Sequence, residues 1–220
     1  MRAHIPHSEF RDAVDHLPPG AVLTLSGVSW DAYERLLDDL ADRGGVRTAY
    51  DRGRLEIVSP SRAHEAYACF IDDLVRAFAD HTGRDLEKRG RLTLKKSGIA
   101  RGAEPDCSYD VRTARPLGPD PPARIEDSSP DTLPDIVVEI DLGRESLSKF
   151  SVYAALEVPE IWRYDGRSVE FYGLSGRTYV PLATSAVLAG LSPEILAAAL
   201  DQSRRDGQSK ALQSFRGRLG

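Results

Sequence analysis

Acidic and aliphatic residues alternate along Pro134 to Leu142, whose sequence is PDIVVEIDL. Because successive side chains of a strand point to opposite faces, the three acids of this stretch share one face with a single valine, and the aliphatic residues share the other. The continuous apolar run at its centre is typical of a central strand, so the acids are expected to be at least partly buried. Unpaired buried carboxylates are costly. A positive partner is therefore expected, either a divalent metal ion, Arg144 or Lys149.

Two residues outside this strand have the chemistry to meet Glu139. Asp106 follows Glu104-Pro105 at the start of another predicted strand, where its side chain can point into a cleft at a sheet edge. Lys149 comes ten residues after Glu139 on the following helix, and its neighbours on that helix face are largely apolar. A lysine in such surroundings usually has a charged partner. At an effective dielectric of about 20, an opposite charge about 4 Å away offers roughly 4 kcal/mol, so Glu139 or a bound anion is the expected partner.

One aspartate, one glutamate and one lysine form a combination suited to phosphate chemistry. Carboxylate oxygens bind a hard cation such as Mg²⁺ or Mn²⁺. The cation polarises a phosphoryl oxygen and lowers the pKa of a bound water molecule. The lysine orients that water or offsets the charge that grows on the phosphate. The three residues together predict phosphodiester hydrolysis.

The elements that must position these residues follow from periodicity and turn signals. Helices alternate with strands along the chain, and hairpins with Asp/Gly or Ser/Gly turns occur near both ends of the predicted fold. This order indicates a single α/β domain in which helices flank a mixed sheet. The helices are expected at 29–43, at 63–81, around Lys149 and at 192–200, and the strands at 46–50, 54–58, 87–94, 106–111, 134–142, 161–164, 168–174 and 178–182.

Composition divides the chain into three parts. Residues 1–26 are expected to form an N-terminal arm, and 27–200 the folded domain. Within the domain, residues 112–134 hold six prolines, which predicts an extended or mobile loop. Residues 201–220 are polar with an excess of Arg and Lys, and are expected to be a frayed or disordered tail.

The overall composition favours some classes of protein and argues against others. The 220 residues carry a net charge of -5, which argues against a surface that binds nucleic acid everywhere but leaves room for a local basic cleft. Two cysteines without a CxxC pair favour a reducing compartment. The first residues have no apolar core of signal-peptide length, and no stretch is apolar enough to span a bilayer. A cytoplasmic protein is expected.

Three blocks of sequence resemble a known family. They are EPD at 104–106, PDIVVEID at 134–141 and SLSKFSVYAALEVPEIWRYDG at 146–166. With the upstream segments GVSWDAYERLL and TAYDRGRLEIVSPSRAHE, they are similar to the Uma2 family, whose members are restriction-endonuclease-like proteins of the PD-(D/E)XK nuclease superfamily. The resemblance covers about residues 27–180, and its third block is quite specific.

The resemblance implies a restriction-endonuclease-like α/β core and a role for each matching residue. Asp106 and Glu139 correspond to the carboxylates that bind metal. The superfamily pattern places a lysine two residues after the second acid, where this chain has Asp141, and Lys149 on the next helix is the matching lysine instead. A further glutamate on the first core helix corresponds to Glu65, with Glu56 as the alternative.

Each of these residues also has an ordinary structural interpretation. Glu139 could belong to a solvated edge strand, Asp106 could cap a turn, and Lys149 could pair with Glu145 one helical turn away. Two further residues, His64 and Tyr153, are better explained by structural roles. His64 is expected to be a core or helix-start residue, and Tyr153 is expected to pack in the core. The main functional hypothesis is a metal-dependent DNA endonuclease, and the resemblance to nucleases of this type, which often act as dimers, adds a homodimer as an expectation. The alternatives are an inactive relative that binds DNA or a protein partner, and a structural homodimer with salt-bridged acids.

Overall fold

The computed structural model describes residues 14, 16–40, 45–90, 92–111, 124–126, 132–142 and 149–219. The helices are α1 Trp30–Leu40, α2 Arg62–Thr82, α3 Lys149–Leu156, α4 Pro193–Asp206 and α5 Gln208–Leu219, with a 3₁₀ turn at Ser97–Ile99. The strands are β1 Val22–Ser26, β2 Arg47–Asp51, β3 Arg54–Val58, β4 Glu87–Lys88, β5 Thr93–Lys96, β6 Arg101–Ala103, β7 Cys107–Asp110, β8 Arg124–Glu126, β9 Ile136–Ile140, β10 Glu160–Tyr164, β11 Val169–Ser175 and β12 Thr178–Leu182.

The strands of the described residues form two six-stranded sheets. Sheet A has the order β1-β3-β2-β6-β5-β8, and sheet B has the order β12-β11-β10-β9-β7-β4. Each sheet is antiparallel except for one parallel pair, β5 with β8 in sheet A and β9 with β10 in sheet B. The predicted mixed α/β architecture with flanking helices is confirmed. The strands divide between two sheets because β6 and β7, although consecutive, pair with different neighbours.

Sheet B is covered on both faces, as the alternation along β9 requires. The aliphatic residues Ile136, Val138 and Ile140 pack in a core with α2, α4 and α5. On the opposite face, Val137 packs with α3 in a second core. A strand buried on both faces is a central strand. Asp135 and Glu139 are therefore buried, whereas Asp141, just past the end of β9, is partly exposed.

A third core lies between sheet A and α1. Tyr33 and Leu37 of α1 pack on Tyr50, Leu55 and other buried residues of β2 and β3. The rings of Tyr33 and Tyr50 are stacked, with centroids 4.7 Å apart. This core holds β2 in place, and β2 supplies a residue of the site described below.

Local sequence signals explain the ends of α2. Ser61 caps the N-terminus, where its side chain accepts a hydrogen bond from the backbone N–H of His64. Gly83 ends the helix in the left-handed conformation, with φ of 64°, and closes it with hydrogen bonds to Ala79 and Asp80. The first turn of α2 is therefore fixed immediately after β3.

The expectation of a disordered tail over 201–220 is wrong. Helix α4 continues to Asp206, and α5 follows after Gly207. Ala211 and Phe215, four residues apart, are buried in the core formed with α2 and α4. A narrow apolar stripe of this kind is enough to dock a helix on a preformed core, although the segment is polar on average.

The two other proposed segment boundaries also change. The expected arm over 1–26 includes β1, which pairs with β3 along its whole length; residues 1–13 and 15 lie outside the described part of the chain. The proline-rich segment 112–134 includes β8, which pairs with β5 at the edge of sheet A. An edge strand tolerates proline-rich flanks because one of its sides needs no hydrogen-bond partner. No helix within the described ranges is long and apolar enough to cross a membrane.

Candidate active site

The segment Glu104-Pro105-Asp106 joins the two sheets. Glu104 is anchored to sheet A: its carboxylate accepts hydrogen bonds from the backbone N–H and the hydroxyl of Thr48 (2.7 and 3.1 Å) and from the hydroxyl of Thr93 (2.8 Å). Asp106 is anchored to sheet B, because its backbone N–H donates to the carbonyl of Val138 (3.0 Å). The acid that could do chemistry therefore lies at the junction of the sheets, fixed from both sides.

The side chain of Asp106 is buried, with hydrogen-bond donors at one oxygen and a cationic neighbour at the other. Its Oδ2 accepts a hydrogen bond from the backbone N–H of Ile140 (2.8 Å) and lies 3.1 Å from Nε2 of His64. Its Oδ1 lies 3.6 Å from Nε of Arg47. The bond to Ile140, the residue after Glu139, fixes the position of the Asp106 carboxylate relative to β9.

Glu139 and Lys149 form a buried ion pair. The ammonium of Lys149 donates to Oε2 of Glu139 (2.6 Å) and to the backbone carbonyl of Glu104 (3.3 Å). The hydroxyl of Tyr153, one turn further along α3, donates to the other oxygen of Glu139. The Lys149 and Glu139 side chains are only 7% and 6% exposed. Lys149 thus has the partner that its apolar surroundings required.

These residues open onto one cavity of about 400 Å³. Asp106, Glu139 and Lys149 all line it, which is the convergence that the sequence predicted. The remaining lining comes from the start of β1 and the two residues before it, from β2, from the β3–α2 connection with the first turn of α2, and from the end of β9: Gly20, Ala21, Val22, Arg47, Val58, Ser59, Pro60, Ser61, His64, Ile140, Asp141 and Leu142.

Burial and charge shift the pKa values of these residues in different directions. Burial raises the pKa of Glu139 to about 7, because the opposing effect of Lys149 is partly cancelled by the nearby charge of Asp106. Burial also acts to raise the pKa of Asp106, but the hydrogen bond from His64 and the charge of Lys149 outweigh it and the pKa is lowered. Burial acts to lower the pKa of Lys149, but the charges of Glu139 and Asp106 raise it overall. The site therefore contains two carboxyls of unequal acidity beside one ammonium.

Comparison with known proteins identifies the family. The sequence model described as "Uma2: Putative restriction endonuclease" matches residues 30–202. The chain belongs to the Uma2 family. Among solved structures, a putative nuclease of DUF820 from Anabaena variabilis ATCC 29413 is similar, with 17% identity, a TM-score of 0.44, and coverage of 70% of this chain and 90% of that chain. No curated protein matches.

The two other acids considered for this Uma2 site have different surroundings. Glu65 does not line the cavity; its carboxylate is 40% exposed and accepts a hydrogen bond from Nη2 of Arg47 (3.2 Å). Glu56 is buried in β3 and is also absent from the cavity wall. Asp141 does line it and is paired with Arg163 (2.8 Å). Of the four residues assigned a catalytic role from the sequence, Glu65 is the one that contacts the site only through another side chain.

Sequence reasoning did not single out Arg47, and it favoured a structural role for His64. Both line the cavity and both contact Asp106. His64 could have been found from the Ser61 cap, because the cap fixes the first turn of the helix beside β3. Arg47 carried no such signal, since it begins an ordinary hairpin strand. Arg144 and Glu145, the other proposed ionic partners, lie outside the described residues.

The donor set suits a hard divalent cation. Asp106 and Glu139 present carboxylate oxygens to one cavity, and such oxygens are the ligands preferred by Mg²⁺ and Mn²⁺. Within the described ranges, no three or more His, Cys, Asp or Glu residues are grouped as a metal site. Mg²⁺ commonly binds through one or two carboxylates and keeps several water molecules. Two carboxylates are therefore within the number of protein ligands that Mg²⁺ commonly uses.

Proposed function

We propose that this protein is a metal-dependent endonuclease that hydrolyses phosphodiester bonds of DNA, with its active site in the cavity between the two sheets. The observation that carries the proposal is the convergence of Asp106, Glu139 and Lys149 on that cavity. Membership of a family described as putative restriction endonucleases supports the same reaction class.

The two acids and the lysine would have separate roles in the reaction. Asp106 and Glu139 would hold Mg²⁺ or Mn²⁺, which when bound supplies Lewis-acid polarisation of the phosphate and a more acidic water. Lys149, held beside Glu139 and the Glu104 carbonyl, offers its ammonium to the negative charge that develops on the phosphate. Hydrolysis adds water across a P–O bond, leaving one phosphate end and one hydroxyl end.

The position of Glu65 favours an indirect role in the proposed reaction. Its carboxylate contacts Arg47, which in turn lies beside Asp106. Glu65 would therefore act as a positioning residue for Arg47. We expect substitution of Glu65 to reduce activity less than substitution of Glu139 or Lys149.

One observation favours a second function, that of an inactive relative that binds DNA or a protein partner. Both carboxylates already have cationic neighbours, Glu139 in Lys149 and Asp106 in Arg47. A closed set of ion pairs of this kind can be structural. In that case the cavity would bind a ligand without metal and without turnover.

Cleavage of supercoiled plasmid separates the two functions. Purified protein with Mg²⁺ or Mn²⁺ is expected to nick the plasmid, and EDTA is expected to stop it. Glu139→Gln and Lys149→Met should each lower the nicking rate by about 100-fold or more, as losses of groups that stabilise transition-state charge do. Both variants are first checked for folding by circular dichroism.

The matched control is Glu170→Gln, which removes an exposed carboxylate on β11 of the same sheet. It should nick at the wild-type rate. Nicking that persists in folded Glu139→Gln and Lys149→Met would overturn the assignment of the site. A gel shift without metal and without any nicking would favour the binding protein.

A further inference from the structure

Arg47 is the most unusual side chain in the cavity wall. It extends from β2 of sheet A, is 4% exposed and lines the cavity. Its Nη2 donates to Glu65, but Nε and Nη1 are buried and have no hydrogen-bond partner among the described residues. Leaving a buried donor unsatisfied costs about 1–3 kcal/mol, and more for a charged group. Arg47 thus lines the cavity with a guanidinium of which two enclosed nitrogens have no hydrogen-bond partner among the described residues.

The arginine is held in a fixed orientation. Glu65 lies on one side of the guanidinium at 3.2 Å, and Asp106 lies near Nε at 3.6 Å. These acids come from different elements, α2 and the β6–β7 connection, so they restrict the planar group from two directions. An oriented guanidinium is suited to phosphate because its N–H groups match two oxygens at once.

The neighbouring wall has the same preference for anions. Ser61 and His64, at the first turn of the 21-residue helix α2, line the cavity. The N-terminus of a helix carries partial positive charge. Nδ1 of His64 is buried without a hydrogen-bond partner among the described residues, while Nε2 is engaged with Asp106.

We propose that Arg47, with the first turn of α2, forms a phosphate-binding subsite in the cavity that Glu139 and Lys149 also line. On the proposed nuclease function, this subsite takes a phosphate of the nucleic-acid backbone and orients it toward the two carboxylates. Arg47 is then a substrate-binding residue, and Glu65 and Asp106 position its guanidinium.

The subsite differs from Lys149 in what it contributes. Lys149 is committed to Glu139 and to the Glu104 carbonyl. Arg47 lies beside two carboxylates, but only its Nη2 makes a hydrogen bond to one of them, and its Nε and Nη1 have no partner among the described residues. Phosphate affinity should therefore depend on the donor geometry of Arg47 as well as on its charge, which Arg47→Lys tests.

The first probe is inorganic phosphate, measured by isothermal titration calorimetry in EDTA. Wild-type protein is expected to bind it. Arg47→Met should weaken binding by tenfold or more, because hydrogen bonds to a charged group contribute that much. Arg47→Lys keeps the charge but loses the paired N–H donors of the guanidinium, so its phosphate affinity should lie between those of wild type and Arg47→Met. Thermal denaturation confirms that each variant is folded.

The matched control is Arg101→Met. Arg101 lies on β6 of the same sheet, is paired with Asp51 (2.9 Å) and does not line the cavity. It should bind phosphate within about twofold of wild type. The second probe is a fluorescein-labelled DNA duplex in EDTA, read by fluorescence anisotropy, with the same variants and the same expected order.

The outcomes separate this subsite from the nuclease function. Phosphate binding that is absent in wild type, or equal in wild type and folded Arg47→Met, overturns the subsite even if the wild type nicks plasmid. Phosphate binding that depends on Arg47, in a protein that never nicks DNA, supports the subsite while the nuclease proposal fails.

Discussion

Glu139 is the residue in which burial and chemistry are most closely linked. It lies on a strand covered on both faces, and its carboxylate contacts Lys149 and Tyr153. Burial, with the charge of Asp106, raises its pKa to about 7 against the attraction of Lys149. A carboxyl that gains and loses its proton near neutral pH responds strongly to any added positive charge.

The raised pKa of Glu139 predicts a pH-dependent stability. Between about pH 4.5 and 7 the folded protein keeps a proton that the unfolded chain releases, so this residue's contribution to stability is lost as the pH rises. In EDTA, the unfolding free energy of wild type should fall by roughly 3 kcal/mol relative to that of Glu139→Gln from pH 4.5 to 7.5. Urea denaturation at several pH values measures this difference.

The control for the pH series is Gln213→Ala, which changes no titratable group and should leave the pH profile parallel to wild type. If Glu139→Gln also runs parallel to wild type, the pKa of Glu139 is not raised by burial as described.

Two site residues could be predicted because their signals are local. The alternation along β9 identifies Glu139, and the apolar neighbours on α3 identify Lys149 as a buried lysine in need of a partner. The role of Glu104 could not be predicted, because its hydrogen-bond partners Thr48 and Thr93 lie on strands that only the fold brings together. Arg47 was missed for the same reason.

At the scale of elements, two short connections determine the site. The β6–β7 connection carries Asp106 from one sheet to the other, and the β3–α2 connection brings Ser61 and His64 to the same cavity. The order of helices and strands could be predicted from periodicity. Their division into two sheets could not, because the pairing of β6 with β2 and of β7 with β9 depends on contacts between distant residues.

The C-terminal helix α5 is a stabilising element of the fold. Phe215 is 2% exposed and packs in the core shared with α2 and α4. Phe215→Ala should lower the unfolding free energy by about 3–5 kcal/mol, the usual cost of removing a buried phenylalanine side chain. Urea denaturation checks it, with Gln213→Ala, an exposed position of the same helix, as a control expected within about 0.5 kcal/mol.

An unchanged unfolding free energy in Phe215→Ala would mean that α5 does not pack on this core. The prediction of a disordered tail was wrong because the buried residues of this helix are only Ala211 and Phe215, which stand among polar residues. Such a sparse stripe is visible only once the surface that receives it is known.

At the scale of the whole molecule, two sheets with their own helical layers meet at one polar cavity. Sheet B supplies Glu139, its crossover helix α3 supplies Lys149, sheet A supplies Arg47, and the connection between the sheets supplies Asp106. The net charge of -5 makes binding to DNA over the whole surface unfavourable. On the proposed nuclease function, binding to DNA is expected to depend on a local site, which is the reason to test the cavity directly.

The central claim is that Asp106 and Glu139 bind one divalent cation. Crystals soaked in Mn²⁺ and measured for anomalous scattering test it most directly, with Glu139→Gln crystals as the control. We expect an anomalous peak in contact with carboxylate oxygens of both residues in wild type, and its loss in Glu139→Gln. A wild-type cavity without a peak, with Glu139 still paired to Lys149 and Asp106 still paired to His64, would contradict the claim.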